Sequence, residues 1–279
     1  MKTNIKITKM QGLGNDFVIC EEEEYSKTGI SRADFARVIC DRHFGIGADG
    51  LIIPKYENSK DYDVAWDFYN SDGSIAQMCG NGIRCFAKYV KDKGQAASVM
   101  RVKTLAGIIK PEILDSGLVR VNMGVPIVKC KDIPCEFDSH INQKISVKDR
   151  VFTLTAVSMG NPHCVIFTDG DLESLALEYG SKIENDVKFP EKTNVEFVSI
   201  KNRQEVDMRV WERGCGMTLA CGTGACAVAV AGILNGLVDN SIRVNLSGGV
   251  LNISWSGDLG ESVFMSGPAE YVFFGEYML

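Results

Sequence analysis

Residues 211–236, WERGCGMTLACGTGACAVAVAGILNG, decide the fold of this chain. They begin where an alternating strand of Val206, Met208 and Val210 ends, and they pass through a glycine-rich turn to Cys221. The segment after Cys221 is apolar on every side, and a helix of that composition belongs inside a protein. Cys221 is therefore predicted to stand at the N-terminus of a buried helix, where unpaired backbone N–H groups and the helix dipole favour a thiolate.

The same construction occurs earlier in the chain, in residues 70–94. Shifting the numbering by 142 residues aligns Cys79 with Cys221 without a gap, and the glycines on either side of the two apolar segments align as well. A weaker repeat pairs Asn15 with Asn161, each followed by an extended apolar run. Two related halves are predicted, and each contributes a cysteine at a helix start.

Length and charge limit the classes of function. A chain of 279 residues is long enough for two domains. The net charge of −6 provides no basic field for phosphate backbones, so nucleic acid is excluded as a partner. The first ten residues lack the apolar core of a signal peptide, and the apolar run at 225–234 is too short to span a membrane. A cytoplasmic protein without a membrane partner is expected.

The chain contains ten cysteines, but their spacing does not indicate a metal site. No Cys-x-x-Cys pair occurs, and the three histidines are scattered, so zinc is not expected. Without an export signal the thiols are expected to be reduced. Several are interpreted as small buried apolar groups, namely Cys20, Cys40, Cys164, Cys215 and Cys226.

Many short alternating segments with one buried helix per half predict an α+β protein, not a doubly wound parallel sheet. The G-x-G-x-x-G match at residues 45–50 follows a helix and precedes a strand, which is the wrong order for a dinucleotide site. A short helix near residues 172–179 is predicted to stop at Gly180. The predicted domains are 1–123, joined by the C-terminal tail 268–279, and 124–267.

Two cysteines in equivalent positions favour one kind of chemistry. Inverting an α-carbon requires a base on one face and an acid on the other, and a thiolate with a thiol can exchange these roles. Open helix N-termini supply N–H donors where a substrate carboxylate gathers charge as the carbanion forms. The pattern predicts a racemase or epimerase that needs no cofactor.

Four motifs then identify a family. MQGLGNDF, FYNSDGSIAQMCGNGIRC, SMGNPH and WERGCGMTLACGTGAC resemble those of diaminopimelate epimerase in spacing and order over essentially the whole chain. The resemblance implies two pseudo-symmetric domains, each an antiparallel barrel-like sheet wrapped around a central buried helix. It implies an isomerase that converts LL-2,6-diaminopimelate to the meso isomer for lysine and cell-wall precursor biosynthesis. It also implies catalysis by Cys79 and Cys221, no pyridoxal phosphate or metal, and a homodimer.

Further site residues are expected around the substrate. Glu212 and Arg213 offer opposite charges for the distal ammonium and carboxylate, and arginine suits planar bidentate recognition. The resemblance gives His163 and Glu212 a possible supporting role in catalysis. It also implies a set of substrate-binding residues, namely Asn15, Asn70, Gly80, Asn81, Asn161, Asn194, Gly222 and Thr223.

Two alternative functions stay open at this point. One is a related racemase acting on proline or hydroxyproline, although Asn81 stands where those relatives tend to carry histidine. The other is a protein whose cysteines only form a redox disulfide, which leaves the asparagines and Arg213 unexplained. The chain also departs from the family pattern at three positions, Gly50, Cys215 and Met217.

Overall fold

The computed structural model describes residues 3–57 and 59–279. Met1 and Lys2, with which the predicted N-terminal domain begins, and Asn58 lie outside the described residues. The chain divides into two compact units, one of Met1–Val121 with Gly267–Leu279 and one of Asn122–Ser266. The domain limits given by the sequence stay a prediction, namely 1–123 with 268–279 for one half and 124–267 for the other.

The first unit opens with a β-hairpin and places one long helix between its fourth and fifth strands. Its elements, in chain order, are β1 (Asn4–Gly12), β2 (Asn15–Ile19), α1 (Glu22–Ser26), α2 (Arg32–Cys40), β3 (Gly50–Lys55), β4 (Val64–Asn70), α3 (Gly80–Asp92), β5 (Val102–Thr104), β6 (Gly107–Ile109), β7 (Glu112–Ile113) and β8 (Val119–Asn122). Successive strand residues point to opposite faces of the sheet. On one face Val18 packs in a cluster with Phe35 of α2. On the other, Phe17 meets Phe68 edge to face.

The second unit follows the same plan. After a 3₁₀ turn at Cys130–Asp132, its elements are β9 (Gln143–Val147), β10 (Arg150–Ser158), β11 (Pro162–Phe167), α4 (Leu172–Glu184), β12 (Asn194–Asn202), β13 (Glu205–Glu212), β14 (Gly216–Met217), α5 (Gly222–Leu234), β15 (Ser241–Leu246), β16 (Gly249–Ser254) and β17 (Phe264–Gly267). Its main strands lie in the order β17-β16-β15-β13-β12-β11-β10-β9, and β14 pairs with β13.

The central helix α5 is buried without interruption over residues 224–232. These positions hold only glycine, alanine, valine and cysteine, so the helix can be enclosed on every side without leaving a polar side chain unsatisfied. The central helix of the first unit, α3, is amphipathic and includes the fully buried Arg84. Arg84 Nη1 donates to the carbonyl of Gly80 at 3.2 Å and Nε to that of Pro268 at 3.0 Å, which fixes the first turn of α3.

The C-terminal tail pairs with the first strand of the first unit. It forms β18 (Glu270–Met278), which pairs antiparallel with β1, for example Ile5 with Tyr277. The sheet of the first unit therefore has the order β18-β1-β2-β3-β4-β5-β6.

Strand pairing repeats between the units. In the first unit the pairs from β1·β2 to β5·β6 are alternately antiparallel and parallel. The same alternation runs from β10·β11 to β15·β16 in the second unit. A helix lies between the two strands of each parallel pair in the chain, as a parallel connection requires.

The α+β class and two related halves, each built on a central buried helix, are confirmed. The sheets differ from the predicted antiparallel barrels, because they contain these parallel pairs and, over the residues described, they stay open.

One predicted helix end is wrong. Helix α4 continues past Gly180 to Glu184, and Gly180 is buried inside it. A Cβ at this position would lie 2.6 Å from the Cβ and Cγ atoms of Trp211. The glycine therefore permits close packing of α4 on β13 and does not end the helix.

Candidate active site

Both candidate catalytic cysteines are N-cap residues, as predicted. Cys79 has extended backbone geometry (φ −140°, ψ 122°), and its Sγ accepts the N–H of Gly82 at 3.4 Å. Cys221 repeats this arrangement (φ −124°, ψ 109°), with its Sγ accepting the N–H of Gly224 at 3.4 Å. Each sulfur thus takes one of the N–H groups that a helix start leaves unpaired.

Asparagine side chains surround the half-buried Cys79. Its thiol donates to Asn15 Oδ1 at 3.6 Å, and the same oxygen accepts a hydrogen bond from Asn81 Nδ2 at 3.1 Å. Asn15 Nδ2 in turn donates to Asp49 Oδ2 at 2.6 Å, which fixes the orientation of the amide. Three predicted site residues of the first unit, Cys79, Asn15 and Asn81, are therefore in direct contact. Asp49 orients Asn15, and the sequence did not reveal this role.

The other predicted residues of this unit lie at the ends of the adjoining elements. Asn70 ends β4 and is exposed, and its Nδ2 donates to Ser74 Oγ at 2.9 Å. Gly80 opens α3, and its carbonyl accepts from Arg84.

Cys221 has different surroundings from Cys79. It is buried, and its Sγ lies 3.5 Å from Thr223 Oγ1. Burial raises the pKa of the Cys221 thiol well above its ordinary value, and the carboxyl groups of Glu212 and Glu196 raise it further. The hydroxyl of Thr223 and the Gly224 N–H act in the opposite direction but are the smaller effects. Burial and the two carboxyl groups thus act against the effect expected of the helix start, and the thiolate at Cys221 stays a prediction.

A buried chain of hydrogen bonds lies beside the first turn of α5. His163 is fully buried, with Nδ1 2.7 Å from Glu196 Oε1 and Nε2 3.0 Å from Asn161 Oδ1. A Cβ on Gly224 would lie 2.8 Å from Glu196 Oε1, so the carboxyl group touches the helix start itself. Sequence reasoning named His163 and Asn161 but missed Glu196. A charged residue inside the apolar run NVEFV was the available signal.

Glu212 and Arg213 occupy the turn that ends β13. Glu212 Oε1 accepts a hydrogen bond from Thr218 Oγ1. The guanidinium of the exposed Arg213 donates from Nη1 to the carbonyl of Glu191 at 3.1 Å. The backbone N–H of Arg213 donates to Asn194 Oδ1 at 2.9 Å, and Asn194 Nδ2 donates to the Pro162 carbonyl at 2.8 Å. Both the oxygen and the nitrogen of the Asn194 amide thus form hydrogen bonds with backbone groups, and these bonds fix the turn.

A second carboxyl group that the sequence did not reveal holds the same turn. Glu184, buried at the end of α4, accepts the indole N–H of Trp211 at 2.8 Å and the backbone N–H of Gly214 at 2.9 Å. The two bonds clamp the residues on either side of Glu212 and Arg213.

The three departures from the family pattern have separate structural settings. A Cβ at Gly50 would lie 2.6 Å from the ring of Phe68, so a side chain here requires Phe68 to move. Met217 packs against the core beneath α4. Cys215 is exposed, which contradicts its interpretation as a buried apolar group, because it lies in the turn between β13 and β14.

Two structural features bear on partners and metals. No helix within residues 3–57 and 59–279 is long and apolar enough to cross a membrane. In the same residues, no cluster of three or more histidine, cysteine, aspartate or glutamate side chains could hold a metal ion.

Two related units, each with a cysteine that caps its central helix, define a protein of the two-domain α+β type. The fold matches that of a phenazine biosynthesis protein of the PhzF family from Bacillus anthracis, with a TM-score of 0.71, 12% identity and 99% of each chain covered. It also matches a hydroxyproline epimerase from Agrobacterium vitis, with a TM-score of 0.66 and 13% identity, covering 100% of this chain and 94% of the other.

The chain belongs to the diaminopimelate epimerase family, whose family model matches residues 7–129 and 155–272. The diaminopimelate epimerase of Carboxydothermus hydrogenoformans is 50% identical over 99% of this chain and 100% of the relative.

Proposed function

We propose that this protein interconverts LL-2,6-diaminopimelate and meso-diaminopimelate, with Cys79 and Cys221 as its two acid–base groups. Family membership supports the reaction and its place in lysine biosynthesis. The observation that carries the catalytic assignment is the shared N-cap geometry, in which each sulfur accepts the N–H of the third residue beyond it.

The chemistry divides the two thiols into a base and an acid. A thiolate removes the α-proton, and a thiol returns a proton to the opposite face of the α-carbon. In one direction of the reaction one of the two cysteines is the base and the other is the acid. The roles reverse for the return reaction.

The carbanion needs its charge stabilised without a cofactor. Its negative charge spreads into the α-carboxylate, where N–H groups at a helix start stabilise it best. Gly80 and Asn81 open α3, and Gly222 and Thr223 open α5, so these residues are proposed to bind that carboxylate. Pyridoxal phosphate and metal ions have no part in this mechanism.

The second amino-acid centre of the substrate provides specificity. The Glu212 carboxylate suits its ammonium group, and the Arg213 guanidinium suits its carboxylate. Asn15, Asn70 and Asn161 are proposed as further hydrogen-bonding partners of the substrate. Asn194 contributes by holding Arg213, since its amide already bonds to that residue's backbone.

We also infer a homodimer that uses the edge of the first unit. The last strand of its sheet, β18, exposes the apolar side chains of Val272 (52%), Phe274 (69%) and Met278 (62%). An exposed apolar edge strand requires a cover to avoid aggregation. Light scattering should report a dimer that Phe274→Lys weakens and Leu177→Lys, at an exposed site on α4, does not. A monomeric parent protein would refute the dimer.

Both catalytic groups are thiols, which suits the reducing conditions of the cytoplasm. We therefore place the enzyme there.

Proton NMR in heavy water tests the reaction directly. Reduced protein, without added pyridoxal phosphate, should convert LL-diaminopimelate to the meso isomer and incorporate solvent deuterium at the α-carbon. Cys79→Ala and Cys221→Ala should each abolish the conversion, whereas Cys40→Ala, which changes a buried thiol outside the site, should not. Failure of the parent protein to exchange the α-proton would refute the substrate, and proline and hydroxyproline would be tested next.

A further inference from the structure

The buried Glu196 carboxyl group is not explained by the family's cysteines or by the substrate contacts proposed above. Its side chain has no exposed surface, and Oε1 lies 2.7 Å from His163 Nδ1. The other oxygen, Oε2, makes no hydrogen bond with any described residue. A buried carboxylate with one unsatisfied oxygen is energetically costly unless its charge is neutralised.

The contact between His163 and Asn161 determines how many hydrogens the His163–Glu196 pair carries. Asn161 Oδ1 can only accept a hydrogen bond, so the His163 Nε2 that lies 3.0 Å away carries a hydrogen. The 2.7 Å contact between Nδ1 and Oε1 requires one more hydrogen, on either the ring or the carboxyl group. In both cases the His163–Glu196 pair holds two hydrogens, one on Nε2 and one shared between Nδ1 and Oε1, and has no net charge.

The same chain of hydrogen bonds fixes the orientation of the Asn161 side chain. Because Asn161 Oδ1 is held by His163, the Asn161 NH₂ group points away from the ring and is left to donate to another group. The His163 ring can donate a hydrogen bond to Asn161 Oδ1 only while Nε2 carries a hydrogen. Glu196 keeps the hydrogen there because it forms the hydrogen bond at Nδ1.

We propose that Glu196 is a positioning residue of the epimerase, which shares one proton with His163 and thereby fixes Asn161 with its NH₂ group presented to the substrate. The inference rests on the proposed function, since it gives Asn161 a substrate to bind. Glu196 itself touches no reacting atom. The Glu196 carboxyl group also lies beside the first turn of α5, where Cys221 caps the helix.

Three titratable groups face the His163–Glu196 pair. Cys221 lies on α5, Glu212 on β13 and Cys164 on β11, and each interacts electrostatically with Glu196. Within the pair, His163 is in direct contact with Glu196. Burial raises the pKa of Glu196, and the charge of Glu212 adds to this, while His163 lowers it.

Spectroscopy tests the shared proton without any assay of activity. Histidine-labelled protein would be examined by long-range proton–nitrogen correlation NMR, with His163 assigned by His163→Gln, and the carboxyl group by infrared difference spectra against Glu196→Gln. At neutral pH we expect a doubly protonated His163 ring or a protonated Glu196 carboxyl group. A singly protonated ring beside an ionised Glu196 would overturn the proposal.

Kinetics separate positioning from charge. Glu196→Gln keeps the shape, can donate to Nδ1 and leaves the pair neutral, so it should retain most of kcat/KM. Glu196→Leu leaves Nδ1 without a partner and should raise KM and lower kcat/KM by about 10- to 100-fold, the cost of leaving a buried polar group unpaired. The matched control Glu173→Leu, on the exposed face of α4, should leave both constants unchanged.

Each remaining result has one meaning. Equal loss in Glu196→Gln and Glu196→Leu would refute positioning, because Glu196 would then act through its charge. Unchanged kinetics in Glu196→Leu would also refute it. If the parent protein fails to epimerise diaminopimelate, the proposed function fails, and the spectroscopic result still decides whether the proton is shared.

Discussion

Cys79 and Cys221 share a backbone geometry but have different environments. Cys79 is half-buried and donates to an amide oxygen, whereas Cys221 is buried near two carboxyl groups. The N-cap position of both followed from spacing and glycines in the sequence. The raised pKa of the Cys221 thiol did not, because Glu196 lies 25 positions away and reaches the helix only through strand register.

Arg213 provides a prediction at the scale of a single residue. Arg213→Ala removes the proposed partner of the distal carboxylate, and each lost charge-assisted hydrogen bond costs about 1.5–3 kcal/mol. One such bond corresponds to a decrease of about 10- to 100-fold in kcat/KM, carried mainly by KM. Steady-state kinetics with LL-diaminopimelate measure it. Arg150→Ala, at another exposed arginine of the second unit, is the control, and equal constants for both variants would remove Arg213 from the site.

At the scale of elements, helix α4 determines where the Glu212–Arg213 turn lies. Gly180 allows the helix to pack on Trp211, and Glu184 bonds to Trp211 and Gly214. The sequence indicated the helix but not its length, since a glycine typical of a helix end is also what close packing against an aromatic ring requires.

Gly180→Ala tests this packing. Alanine is about 1 kcal/mol better than glycine inside a helix. Here, however, its Cβ would lie 2.6 Å from Trp211, and overpacking costs about 1–3 kcal/mol. We expect lower stability in urea denaturation and a reduced kcat/KM, because Trp211 must shift beside the site. Ser181→Ala, exposed on the same helix, should be neutral or stabilising, and a stabilised Gly180→Ala protein would contradict the packing argument.

At the scale of the whole molecule, the repeat is clearer in strand pairing than in sequence. The 142-residue offset predicted the central helices and their cysteines. It did not predict that β3 and β12 are equivalent strands. Their first residues, Gly50 and Asn194, have no chemical similarity that would reveal the equivalence. Parallel pairing was missed for a related reason, since strand order depends on contacts between residues far apart in the chain, which local alternation does not encode.

Burial of thiols throughout the chain makes its stability sensitive to alkaline pH. Burial raises the pKa of Cys20 from an ordinary value of 9.0 to about 12, and the nearby Glu24, Glu21 and Glu22 add to this. Burial likewise raises the pKa of Cys40 and Cys85 to about 12. Above pH 9.0 these thiols ionise in the unfolded chain but keep their protons in the folded one. Stability is therefore complete below pH 9.0 and falls as the pH rises towards 12.

Cys20→Ala isolates one of these thiols. Each proton that only the folded state retains makes the free energy of unfolding fall by about 1.4 kcal/mol per pH unit, so the variant should show a shallower decline by up to that amount. Urea denaturation at a series of pH values above 9.0 measures the slope. Val18→Ala also removes buried atoms from the first unit but no titrating group, so it should lower stability equally at every pH. Parallel curves for Cys20→Ala and the parent protein would show that Cys20 ionises alike in both states, and the alkaline sensitivity would then have to come from other groups.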